Sequence, residues 1–131
     1  MKFDPFLRQQ IEKYKNNIII VEGKKDTAVL KHFGFNKVFQ IHQTSVSIRE
    51  RIEQIMNQIE KRDKVCILTD FDKKGKKLYL LVKPIFQELG AKLDSNLRSI
   101  LIKSRISHIE GVSNFMEKLE AITLSQPKDL P

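Results

Sequence analysis

Cysteine, tryptophan and long apolar runs are scarce or missing in this chain, and each absence removes a class of function. Cys66 is the single cysteine among 131 residues, so no internal disulfide can form. Its place in an apolar run makes it a small buried hydrophobe rather than a reactive thiol. No run approaches the ~20 apolar residues that span a bilayer, so no membrane partner is expected. Three scattered histidines and one cysteine argue against a soft-ligand zinc centre. No Walker-type glycine loop is present, which argues against a small-molecule nucleotide phosphotransferase. The opening Met1-Lys2-Phe3-Asp4-Pro5 lacks the apolar core of a signal peptide, leaving the cytoplasm as the expected compartment.

Positive charge is what the chain has in excess. Lys and Arg number 24 against 16 Asp and Glu, a formal net charge of +8. That balance favours polyanionic partners, nucleic acid first.

Hydrophobic periodicity predicts alternating helices and strands. Asp4-Pro5 opens a helix with Phe6, Leu7, Ile11 and Tyr14 at helical spacing. Ile18-Ile19-Ile20-Val21 reads as a buried strand, Asp26 as the cap of a helix that Gly34 ends, and 37–41 as a second strand. Ser47-Ile48-Arg49-Glu50 is a capping box that starts an amphipathic helix with Ile48, Ile52, Ile55 and Ile59. Residues 65–69 read as a third strand. A long helix then runs from about Gly75 to Leu89, where Pro84 predicts a kink or break. Ser95 opens a short helix with Leu97, Ile100 and Leu101; a strand at 106–109 and a last helix through Ile122 follow. This order predicts an α/β fold, a mainly parallel four-stranded sheet with helices on both faces and right-handed crossovers. One domain is expected over residues 1–122, with its core at 16–110 and a loosely held tail at 123–131.

Two acidic clusters stand out against the basic background. Glu22-Gly23-Lys24-Lys25-Asp26 follows the first strand, and Asp70-Phe71-Asp72-Lys73-Lys74-Gly75 follows the third. Ligands in open α/β sheets bind beyond the carboxyl ends of the strands, so both turns bring carboxylates to one edge. Converging carboxylates ask for a hard cation. Mg²⁺ takes oxygen ligands, keeps several waters, and uses one or two protein carboxylates with phosphate oxygens. Asp70 and Asp72, two apart, share a face of extended backbone. Glu22, from another strand, completes such a site or serves as a general acid or base. Asp26 is as well explained by a helix N-cap as by a place near a metal.

In that order, Glu22-Gly23-x-x-Asp26 and Asp70-x-Asp72-x-x-Gly75, each after an apolar strand, resemble the Toprim domain family over roughly residues 16–110. The overall size is similar to that of the small standalone Toprim proteins of archaea and bacteria. The resemblance implies a three-layer sandwich, Mg²⁺ as cofactor with Mn²⁺ as a substitute, and action on nucleic-acid phosphodiester bonds. It implies Glu22 as general acid or base, Asp70 and Asp72 with Glu22 as metal ligands, and Asp26 in support. Gly23 and Gly75 match turns where the backbone passes close to its neighbours. There are departures: Lys76 stands where topoisomerase members commonly carry a glutamate, and Tyr14 and Tyr79 are the only tyrosines. The length leaves no room for the domain that supplies a topoisomerase tyrosine, or for the further subdomains of a primase. What remains is a minimal nuclease or RNA-processing protein. The alternative is a non-catalytic Mg²⁺- and nucleic-acid-binding module that works with a protein partner in a larger complex.

Lys73, Lys74, Lys76 and Lys77 crowd the start of a helix, where cations oppose the helix dipole. Phosphate contact with RNA or DNA accounts for them better than solvation does, and Lys24 and Lys25 read the same way. Arg98, Lys103 and Arg105 read as an ordinary solvated face, and Phe71 as buried rather than stacked on a base. Glu110 reads as a surface residue, with a second-metal or substrate role as the alternative.

Overall fold

The computed structural model describes residues 5–103. The expected strand at 106–109, the last helix, Arg105 and Glu110 lie outside those residues. The described chain runs α1 (Pro5–Glu12), β1 (Ile18–Val21), α2 (Lys24–His32), β2 (Lys37–Gln40), α3 (Ile48–Gln58), β3 (Lys64–Ile67), α4 (Lys73–Glu88), β4 (Lys92–Leu93) and α5 (Asn96–Lys103). The four strands form one sheet in the order β2-β1-β3-β4, with every pairing parallel.

The composition of β1 explains its position. Three isoleucines and a valine suit an extended backbone covered on both faces, and all four are buried. Alternation along the strands then divides the core into two layers. Ile19 and Val21 join Cys66 and Leu68 against Ile11 of α1, Leu30 of α2, and Leu97 and Leu101 of α5. On the other face, Ile18, Ile20, Val65 and Ile67 pack on Ile52 and Ile55 of α3 and Val82 and Phe86 of α4. Each such side chain contributes about 1.5–3 kcal/mol on burial. Helices on both faces of a parallel sheet are the expected α/β architecture.

Local boundaries depart from the pattern in three places. α4 begins at Lys73 rather than near Gly75, because Asp72 caps it: the carboxylate accepts from Gly75 N at 2.7 Å. The same helix runs unbroken through Pro84, which is exposed. α2 is capped by Gly23, not Asp26, which sits in its first turn. Ser47, in contrast, caps α3 as expected, accepting from Glu50 N at 3.1 Å.

β4 was not legible beforehand. Two residues show no period, and it follows directly after Gly90, whose φ of 85° ends α4.

The strand order carries the functional consequence. From β1 the chain steps to β2 on one side, and β3 then returns on the other side of β1. The carboxyl ends of β1 and β3 therefore flank the point where the strand order reverses, the crevice in which open α/β sheets bind ligands. Both acidic turns leave from those two ends.

Candidate metal and nucleic-acid site

The first turn begins where β1 ends at Val21. Ile41 N donates to Val21 O at 2.8 Å and His42 N to Glu22 O at 3.0 Å, so the β2 side holds the Glu22 backbone in line with the sheet. The Glu22 side chain, half-buried, turns the other way: its Oε1 accepts from Asp70 N at 3.1 Å. One carboxylate oxygen thus ties the first acidic turn to the second across the switch point.

Asp26 is half-buried on the first turn of α2. Burial pushes its carboxyl above the ordinary aspartate range, and the charges of Asp70 and then Glu22 add to that rise. A hydrogen bond with the Gly23 backbone pulls in the opposite direction. Asp26 is therefore close enough to Asp70 and Glu22 to feel their charge. Gly23 itself is extended at φ −145°, and a Cβ there would meet nothing within 4 Å. The close passage expected at Gly23 is absent.

The second turn is built more tightly. A Cβ on Gly75 would lie 1.9 Å from Asp70 O, so the first turn of α4 rests directly on the Asp70 peptide. Thr69, fully buried, donates its hydroxyl to Gly75 O at 2.9 Å. Asp72 accepts from Gly75 N, as above, and Asp70 is half-buried while Asp72 is exposed.

Lys24, Lys25, Lys73, Lys74, Lys76 and Lys77 are all exposed, flanking the carboxylates at the starts of α2 and α4. A groove next to Glu22 is lined by Gly23, Lys24, His42, Gln43, Thr44 and Arg51, among others, and no carboxylate lines it. The groove therefore presents cations and amides rather than acids.

Arg98 contradicts the expected solvated face, being only 7 % exposed. Its Nη1 donates to Thr69 O at 3.0 Å, Thr69 Oγ1 at 3.2 Å and Ile67 O at 3.4 Å. Its guanidinium carbon lies 4.0 Å from the Tyr79 ring centre and 4.7 Å from that of Phe71. Burial pushes its pKa below the usual arginine value. The signal that could have revealed this is helical: Arg98 lies three residues before Leu101, on the same side of α5. Lys103 is exposed, as expected. Phe71 is half-buried and packs on the α1/α2/α5 side of the core. Cys66 is buried, and burial pushes its thiol up to about 11, an inert thiol as expected.

Carboxylate oxygens brought to one sheet edge, with Asp26 feeling the charge of its neighbours, fit Mg²⁺, whose charge would offset that repulsion. Among the described residues, no three His, Cys, Asp or Glu side chains close into a ready-made cage. A site of one or two carboxylates completed by water and phosphate oxygens needs no such cage. Glu22, Asp70 and Asp72 are the residues that could hold the ion.

Comparison with known proteins agrees with this geometry. The Toprim domain family model matches residues 17–101. A UPF0292 protein of Methanosarcina barkeri is 32% identical over 111 residues, covering 81% of this chain and 73% of that one. A UPF0292 protein of Methanocaldococcus jannaschii is 29% identical over 103 residues, covering 76% and 78% respectively. A solved protein of Aquifex aeolicus superposes with a TM-score of 0.65 at 27% identity, over 80% of this chain and 94% of its own. A four-stranded parallel sheet between helices, with both acidic turns at its switch point and the family model across both, fixes the assignment: the chain belongs to the Toprim domain family.

Proposed function

We propose that this protein is a Mg²⁺-dependent enzyme acting on nucleic-acid phosphodiester bonds, of nuclease or RNA-processing type. The observation that carries the reading is the Glu22–Asp70 link across the switch point, with Asp26 raised by burial and then by the charges of Asp70 and Glu22. Asp70 and Asp72 hold the cation with Glu22. The metal, when bound, supplies charge neutralisation for the scissile phosphate. Glu22 then has two further tasks. It aligns the Asp70 turn through one oxygen, and it takes or gives a proton at the reacting oxygen as general acid or base. The six exposed lysines and the carboxylate-free groove beside Glu22 support a path for the phosphate backbone.

One observation favours a second reading. Asp72 already caps α4, which a purely structural aspartate would also do. Under that reading the chain is a non-catalytic module that binds Mg²⁺ and nucleic acid as a subunit of a larger complex.

The test is cleavage of labelled RNAs and DNAs with Mg²⁺, Mn²⁺ or EDTA, comparing wild type with Glu22→Gln. Metal-dependent cleavage lost in the variant establishes the enzyme. Binding by both proteins without cleavage by either leaves the module.

A further inference from the structure

We infer that Arg98 is a positioning residue for the metal-binding turn, acting through Thr69 and Phe71 on the spacing of Asp70 and Asp72; this rests on the metal reading above. β4 is two residues long, and its side of the β3 ladder ends with Asp94 N donating to Val65 O at 2.9 Å. In a parallel strand, carbonyls two apart face the same neighbour. Ile67 O and Thr69 O therefore face the side where β4 has already ended. Buried carbonyls need partners. Arg98 Nη1 reaches across from α5 and donates to both, so one guanidinium stands in for the missing strand.

Closing an edge does not by itself call for a buried cation. A longer β4 would do it with neutral amides. Among the described residues Arg98 has no carboxylate within ion-pair distance, and burial disfavours its charge. What a guanidinium adds is a flat face. It lies over Phe71, the residue between the two aspartates, and over Tyr79 in the second turn of α4. It also donates to the hydroxyl of Thr69, which in turn donates to Gly75 O. The segment from Thr69 to Phe71 is thus gripped at both ends by one side chain, with Asp70 between. Outer partners of this kind orient metal ligands, and losing them typically weakens metal affinity about 10–100-fold.

The test is Mn²⁺ binding followed by electron paramagnetic resonance, with far-ultraviolet circular dichroism confirming that each variant is folded at the working temperature. Arg98→Met is expected to weaken Mn²⁺ binding by about tenfold or more. Arg98→Lys keeps the charge but not the planar fork, so it should recover thermal stability without recovering affinity. Phe71→Leu leaves every Arg98 hydrogen bond in place and should weaken Mn²⁺ binding by a smaller factor. Affinity within twofold of wild type in both Phe71→Leu and Arg98→Lys overturns the inference, even if Arg98→Met fails to fold. A wild-type protein that binds no Mn²⁺ removes the metal reading and this inference with it.

Discussion

The two acidic turns leave neighbouring strands for the same crevice, yet they are built in opposite ways. The Glu22 turn is open. Its glycine is extended with free space around it, its helix has no side-chain cap at Gly23, and both of its lysines are exposed. The Asp70 turn is braced by a backbone contact at Gly75, the Asp72 cap, the Thr69 hydroxyl and Arg98. A general acid or base must reach a reacting group, whereas metal ligands must keep their spacing. The difference in bracing suits the roles proposed above for Glu22 on one turn and for Asp70 and Asp72 on the other.

If the comparison is sound, glycine substitutions should separate the turns most. In Gly75→Ala the new methyl would meet the Asp70 carbonyl, a backbone atom that cannot swing aside. We expect a loss at the upper end of overpacking costs, about 3 kcal/mol, read as a lower urea midpoint. Gly23→Ala meets nothing and keeps an extended backbone any residue adopts, so the change should stay within about 1 kcal/mol. Equal losses at the two positions would break the comparison.

The threonines offer a second, smaller contrast. Thr69→Val removes a fully buried hydroxyl that serves both Gly75 O and Arg98, and should cost about 1–3 kcal/mol. Thr27→Val removes a 3.2 Å bond to Gly23 O at a half-buried site, and about 0.5 kcal/mol is expected. Thermal unfolding of the pair decides it.

The sequence displays the two turns as near equals: a strand, an acid, a glycine, lysines and a helix. The strands were legible because runs such as Ile18–Val21 suit a sheet buried on both faces. The position of the carboxylates followed from strand ends alone. The bracing was not legible. Gly75 and Gly23 look alike until α4 is seen resting on Asp70, a contact between elements rather than within one. Asp72 is both a motif aspartate and a cap, and spacing cannot separate the two. Arg98 is hidden for the same kind of reason. The i+3 step to Leu101 marks its side of α5, but the carbonyls it meets lie past the end of a two-residue β4, and a strand that short leaves no period to read.

A third contrast concerns the caps. Asp72→Ala should lower stability by about 1 kcal/mol in metal-free protein, since the Gly75 amide loses its partner. Asp26, which is not the N-cap of α2, should behave oppositely, and Asp26→Asn should raise metal-free stability at neutral pH. Denaturant titration of the two variants side by side checks both signs.

The smallest effect is a pH slope that belongs to Asp26 alone. Its folded pKa is raised by burial and by the charges of Asp70 and Glu22, whereas the unfolded chain titrates near the ordinary value of about 3.9. Between those two values the folded state holds more proton than the unfolded one. The Asp26 contribution to stability should therefore fall as pH rises through that window, the reverse of an aspartate stabilised by a cation. Asp26→Asn should flatten this part of the profile, and saturating Mg²⁺ should flatten it in wild type by offsetting the repulsion. Urea midpoints measured in EDTA from about pH 4 upward, then repeated with Mg²⁺, resolve the slope. A slope unchanged in Asp26→Asn would place the repulsion elsewhere in the crevice. A slope lost in the variant but unaffected by Mg²⁺ would mean that no ion binds close enough to offset the charges of Asp70 and Glu22 on Asp26, which counts against a metal held between the open turn and the braced one.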